Sequence, residues 1–198
     1  MMQADYDGDH YTRWRHERLS LISRYYPRYY FQGKTVLECG AAYGHIGRIF
    51  ANSGATVTCT DQYEGWVDII TARHPMVQAL QQDLIDPWPF TTPFDVIVSM
   101  GVLYHLPYTH AEQHIIDCCT NCNDLILETD TIAHEHPHVI LDVPKPPIEH
   151  QWEPVTTNYC LPSVPYVERV LSANNFSFYR VPCGGGGRHL WFCKRCPS

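Results

Sequence analysis

Short apolar runs alternate with amphipathic stretches along the chain. The runs are "TVLEC" (35–39), "ATVTCTD" (55–61), "MVQAL" (76–80), "FDVIVSM" (94–100), "DLILETD" (124–130), "FSFYRV" (176–181) and "RHLWFCK" (188–194). Each has strand length and is bounded by turn-forming residues, so seven strands are expected. Between them lie helical patterns. Residues 9–31 read as a helix ending near Pro27, with Leu19, Ile22 and Tyr26 on its apolar face. Further helices are expected over 45–54 (stopped by Gly54), 63–75 (closed before Pro75), 109–119 and 164–175.

Alternation of strand and helix from residue 34 onward implies an α/β fold, a mostly parallel sheet with helices on both faces. Only "PCGGGG" (182–187) joins the last two strands, which is too short for a helical crossover, so they should run antiparallel. Residues 131–162 are rich in Pro and His and lack periodicity; a loop of that length is expected to be functional. No internal repeat and no second domain is visible.

Composition narrows this picture. In 198 residues, 44% of them hydrophobic, one domain with a sizeable core is expected rather than disorder. A net charge of -7 argues against a broad electrostatic grip on nucleic acid. "MMQADYDGDHY" has no apolar core of an export signal and no run approaches a membrane span. The chain is therefore expected to be cytoplasmic, with its nine cysteines mostly reduced.

Candidate chemistry begins at "VLECGAAYGHIG" (36–47). A parallel sheet binds ligands at the carboxyl ends of its strands, and this strand, loop and helix start lies at such an end. Against the dinucleotide fingerprint, Gly40 matches the first glycine, but Ala42 and His45 stand where the third and sixth belong. Small residues Gly40, Ala41 and Ala42 would let a ligand approach the backbone, while Gly44 and Gly47 would let the next helix pack closely. Glu38 repels a pyrophosphate and suits an amino-acid or sulfonium cation. Asp61 is placed to accept from ribose hydroxyls, and Asp83, after Gln82, from an adenine amino group.

This ordered set resembles the class I S-adenosylmethionine-dependent methyltransferases over about residues 34–194. The resemblance implies a Rossmann-like seven-stranded, mostly parallel sheet with an antiparallel last strand. It also implies S-adenosylmethionine as cofactor, held by Glu38, Gly40, Ala41, Ala42, Gly44, Asp61, Gln82, Asp83 and Met100. "VIVSMGVLYH" (96–105), "LILETDTI" (125–132) and "LPSVPYVERVLSANNF" (161–176) resemble the catalytic core of the bacterial tRNA wobble-uridine carboxymethyl transferases. "YTRWRHER" (11–18) resembles the leader of short stand-alone relatives of bacterial and phage origin. The resemblance does not extend to the tRNA enzymes' extra N-terminal region and its cofactor-binding lysine, and Leu106 replaces a basic residue. Ordinary S-adenosylmethionine is therefore expected, with the carboxylated form as the alternative.

Methyl transfer is an in-line displacement, in which the protein supplies position and electrostatics. His105 is the candidate base or acceptor-orienting group, against a capping role. Tyr104 would shape the methyl pocket, and Glu128 would orient the acceptor or bond backbone amides. A leader over residues 1–33 would close over the cofactor as a lid, Tyr11 and Trp14 covering it and Arg15 reaching its carboxylate; alternatively it is a basic helix face. The methyltransferase domain would span 34–198, with an irregular insertion at about 131–162. Arg188 and His10 are candidate substrate contacts, Arg188 alternatively a solvated strand-end charge. His134, His136 and His138 could share one side of an extended metal-binding segment. Cys119, Cys122, Cys193 and Cys196 fall at the opposite end of the sheet and could hold a structural zinc or a disulfide, or be unrelated thiols. The expected acceptor is a small molecule or nucleotide rather than nucleic acid, with RNA (tRNA) methyl or carboxymethyl transfer as one alternative. A non-catalytic cofactor-binding or scaffold module is the other.

Overall fold

The computed structural model describes residues 9–27, 29–144 and 158–197. In chain order the elements are α1 (Asp9–Tyr25), β1 (Thr35–Cys39), α2 (His45–Asn52), β2 (Thr56–Asp61), α3 (Glu64–Arg73), β3 (Gln78–Gln81) and β4 (Phe94–Met100). A 3-10 turn (Leu103–His105) follows. Then come α4 (Tyr108–Thr120), β5 (Cys122–Asp130), β6 (Ile140–Pro144), β7 (Asn158–Pro162), α5 (Val164–Ala173), β8 (Phe176–Pro182) and β9 (Arg188–Arg195).

Seven strands form one sheet in the order β3-β2-β1-β4-β5-β9-β8. β1 pairs in parallel with β2 and β4, β2 with β3, and β4 with β5. β9 runs antiparallel to both β5 and β8. The antiparallel last strand is present, and strands alternate with helices through the parallel part of the sheet except between β3 and β4, which no helix joins.

Side-chain alternation divides the core between the sheet's two faces. Leu37, Ile97, Leu125, Leu127, Trp191 and Cys193 pack against Ile115 of α4 and Val167 and Leu171 of α5. Their neighbours Val36, Val96, Val98, Ile126, Leu190 and Phe192 pack the other way, against Ile22 of α1, Phe50 of α2 and Ile70 of α3. α1 is therefore one of the layer helices, and Tyr25 stacks on Phe192 at 4.2 Å between ring centres. α5 starts where Ser163 Oγ accepts from the Tyr166 amide and proline follows in the first turn.

The 131–162 stretch is not wholly irregular. β6 and β7 form a separate antiparallel ribbon, Ile140 opposite Pro162 and Asp142 opposite Cys160. β7 lies against the 3-10 turn and α4, so this ribbon sits beside the carboxyl end of β4. Among the described residues, no helix is long and apolar enough to cross a membrane.

Candidate active site

The loop after β1 is built from backbone demands. Gly40 has φ +62° and Gly44, just before α2, φ +67°. A Cβ on Gly40 would lie 2.6 Å from Val102 Cγ2, and one on Gly44 would lie 3.0 Å from Ile70. Smallness at these two positions therefore serves packing and a left-handed backbone, rather than only the close approach of a ligand. Ala42 also sits at φ +46°, a conformation that costs an alanine roughly 1 kcal/mol. Its amide donates to Asp61 Oδ2 at 2.9 Å, which offsets that cost, and the Ala41 amide donates to the Thr60 carbonyl at 2.9 Å. The loop is thus tied to the end of β2.

Gly47 meets its expectation directly. A Cβ there would run into Cys59 Sγ and come within 2.7 Å of Glu38 Oε2. Gly47→Ala should therefore cost about 1–3 kcal/mol by overpacking. A thermal unfolding midpoint lowered by about 5 °C is the expected result, and an unchanged midpoint contradicts this packing.

The three acids line up along successive strand ends. Glu38 is buried, and its Oε2 accepts from the Gly47 amide (2.7 Å) and the Cys59 thiol (3.2 Å). Burial raises its pKa to about 7; the two bonds oppose that rise and the negative charge of Asp61 adds to it. Asp61 is 9% exposed, and Oδ1 accepts from the Tyr63 amide at 3.1 Å. Burial raises its pKa too, while the amides of Tyr63 and Ala42 pull the other way. The Gln82 amide donates to the Asp61 carbonyl (2.9 Å), and Gln82 Nε2 to the Asp83 carbonyl (2.6 Å). Asp83 Oδ1 accepts from the Ile85 amide at 3.2 Å, in a half-exposed turn.

Beyond β4, Met100 is buried and Gly101 turns the chain at φ +73°, its amide on the Glu128 carbonyl at 3.2 Å. A Cβ on Gly101 would lie 3.2 Å from the Trp14 ring and 3.5 Å from the Tyr104 hydroxyl. Trp14 thus reaches the strand ends from α1. Tyr104 and His105, on the 3-10 turn, are half-buried with ring centres 4.3 Å apart.

The Glu128 side chain is held by two arginines. It is fully buried, and its Oε1 takes Arg18 at 2.8 Å and Arg188 at 3.2 Å. Arg188 also reaches Asp130 at 2.9 Å and lies 4.8 Å over the Tyr104 ring, donating to the Tyr104 hydroxyl. Its guanidinium is thus part of a partly buried ion-pair network at the start of β9. Desolvation raises the Tyr104 pKa to about 12, against the pull of Arg188.

Arg18 is absent from the expected site, although the pattern held a signal for it. It falls on the helix stripe Tyr11, Trp14, Arg18, Ile22, whose other members are apolar or aromatic. It is fully buried, lies 4.3 Å over the Trp14 ring and donates to the Trp14 carbonyl. Arg15 instead donates to Thr12 on its own helix at 3.2 Å. Tyr11 is half-buried near the start of α1. His10 belongs to α1, but its side chain lies outside the described residues.

The metal expectations are corrected. Among the described residues, no group of three or more His, Cys, Asp or Glu side chains is arranged to hold a metal. Cys119, Cys122, Cys193 and Cys196 are all free thiols, so the disulfide alternative fails as well. Parity explains why: Cys193 faces the core, which turns Arg195 to that same side and Cys196 away from it. The Arg195 guanidinium fills that corner, donating to the carbonyls of Cys119 and Cys122. His134 and His136 accept at Nδ1 from the backbone amides of His136 and His138, and although neighbouring rings lie 6.4 and 5.6 Å apart the three form no metal-holding group.

Comparison with known proteins agrees with this geometry. A family described as a methyltransferase domain matches residues 11–180. Among solved structures, magnesium protoporphyrin IX methyltransferase from Synechocystis, with bound SAH, superposes with TM-score 0.66 at 17% identity, covering 94% of this chain and 84% of that one. A TehB-like SAM-dependent methyltransferase from Corynebacterium glutamicum gives TM-score 0.65 at 15% identity, over 95% and 97%. The glycopeptide N-methyltransferase MtfA gives TM-score 0.65 at 14% identity, over 98% and 93%. No curated protein sequence matches the chain.

Proposed function

We propose that this chain, which belongs to the methyltransferase-domain family, transfers the methyl group of S-adenosylmethionine to a small-molecule acceptor. The observation that carries the reading is the bond from the Ala42 amide to Asp61, which joins the glycine loop to a carboxylate at the end of the next strand. S-adenosylmethionine supplies a sulfonium-activated methyl group when bound. The chain's residues then have positional tasks. Gly40, Ala41, Ala42 and Gly44 present backbone. Asp61 keeps lone-pair capacity for the ribose beyond that taken by the amides of Ala42, Tyr63 and Gln62, and Asp83 with Gln82 serves the base. Glu38 faces the cofactor's cationic end from behind the loop. Met100 and Gly101 floor the site where β4 ends. Trp14, Tyr104 and His105 wall the acceptor side, with His105 placed to take a proton from an acceptor that must lose one.

Two observations support ordinary S-adenosylmethionine and a small acceptor. Arg188 is occupied by Glu128 and Asp130, so a carboxylated cofactor would have to displace a carboxylate already in place. The net charge of -7 offers nucleic acid little attraction, and the named acceptors of the porphyrin and glycopeptide enzymes are not nucleic acids.

The test is tritiated-methyl transfer from S-adenosylmethionine into cell extract, fractionated into small molecules, RNA, DNA and protein. Label is expected in the small-molecule fraction, reduced about a hundredfold by His105→Ala, within the range of general-base catalysis. Label confined to RNA or protein overturns the acceptor class.

A further inference from the structure

The Glu38 carboxylate is unusual in what holds it. Its Oε2 sits between the Gly47 amide at 2.7 Å and the thiol of Cys59, one strand over, at 3.2 Å. Cys59 is fully buried and Glu38 nearly so. Val98, the partner of Glu38 on β4, is apolar. Another acid, Asp61 on β2, adds its negative charge to the burial of this carboxylate. Burial pushes the Cys59 thiol far above its ordinary pKa, so it remains a proton donor across the physiological range. A thiol is a weak donor, but to an ionised carboxylate its bond is charge-assisted. Gly47 also leaves the thiol its place, since any Cβ there would collide with the sulfur.

We propose that Cys59 is a positioning residue for the cofactor, whose thiol proton stabilises the Glu38 carboxylate as an anion behind the β1 loop. The inference rests on the methyltransferase reading. It adds that cofactor binding and Glu38 ionisation are linked through a thiol on a neighbouring strand. A positively charged cofactor favours the ionised form. Affinity therefore rises as pH increases through the Glu38 pKa of about 7 and levels off above it. Binding near pH 7 should release about half a proton per S-adenosylmethionine.

The test is calorimetric titration of the full chain with S-adenosylmethionine from pH 6 to 9, in buffers of differing ionisation enthalpy. Unaltered protein, Cys59→Ala and Cys59→Ser are compared. Losing the donor should move the midpoint up by about one pH unit, the scale of one bond to a charged group. Cys59→Ala should then bind about fivefold more weakly at pH 7 and within about twofold of the unaltered protein at pH 9. Taking the ratio of the two affinities at each pH cancels the cofactor's own titration. Cys59→Ser, which keeps a donor, should restore the original midpoint, and thermal melts establish that both variants are folded. An equal loss at every pH indicates packing alone and overturns the proposal, as does an unmoved profile. If the unaltered protein binds no S-adenosylmethionine at any pH, the cofactor reading itself fails. A bound cofactor with an unshifted profile removes only the role of Cys59.

Discussion

Asp61→Ala is expected to weaken S-adenosylmethionine binding by about a hundredfold while leaving the protein folded. Asp61 acts twice in the proposed site. Oδ2 accepts from the Ala42 amide and Oδ1 from the Tyr63 amide, which aligns the loops after β1 and β2. The remaining lone pairs are those assigned to ribose. Each hydrogen bond to a charged group is worth about 1.5–3 kcal/mol, so losing a pair amounts to two or more powers of ten. The loop suffers as well, because Ala42 loses the bond that compensates its left-handed backbone. Asp61→Asn keeps one acceptor oxygen and should lose only about tenfold. Calorimetric titration at pH 7.5 measures both, and affinity within threefold of the unaltered protein for Asp61→Ala refutes the placement.

The second large effect concerns stability, and it should be asymmetric. Arg18 and Glu128 are both fully buried, and a lone buried charge costs several kcal/mol. Glu128→Leu leaves Arg18 only the longer 3.7 Å contact with half-exposed Glu17, and removes the carboxylate it shares with a second cation, Arg188. A loss of about 3–5 kcal/mol follows, or about 10 °C in unfolding midpoint for a chain of this length. Arg18→Met should cost less, because Glu128 keeps its 3.2 Å contact with Arg188. Combining the two should be milder than Glu128→Leu alone, since the uncompensated charge is gone. Thermal and urea unfolding of the three variants measure this. Simple additivity would show that the pair is not coupled. The outcome bears on function because this network ties α1 to the ends of β5 and β9, which places Trp14 beside Gly101.

Much of this architecture was legible in the chain. β1 and β4 lie where their apolar runs do, since a strand buried on both faces reads as a continuous hydrophobic stretch. The Gly40 turn and the acids Asp61 and Asp83 were visible because turn chemistry and strand ends are local features. The rest is set by tertiary context. β6 (ILDVP) and β7 (NYCLP) are five residues each, end on proline and do not alternate polar with apolar positions, so their pairing leaves no period-two signature. Arg18 reads as one cation in a basic helix, and only its position on the aromatic stripe separates it from Arg15. Glu128 looked like an acceptor contact because it ends a strand on the ligand side. Two arginines brought there from α1 and β9 determine what it does, and neither lies near it in sequence. The four cysteines shared a sheet end as expected, but side-chain parity on β9 and the reach of Arg195 decide that they do not converge.

A crystal structure grown with S-adenosylhomocysteine tests the cofactor site most directly. Ribose hydroxyls within hydrogen-bond distance of Asp61, with the amino-acid end over Gly40–Gly44, are the predicted result. A ligand bound elsewhere on the sheet, or lying at the strand ends with its ribose away from Asp61, would contradict it.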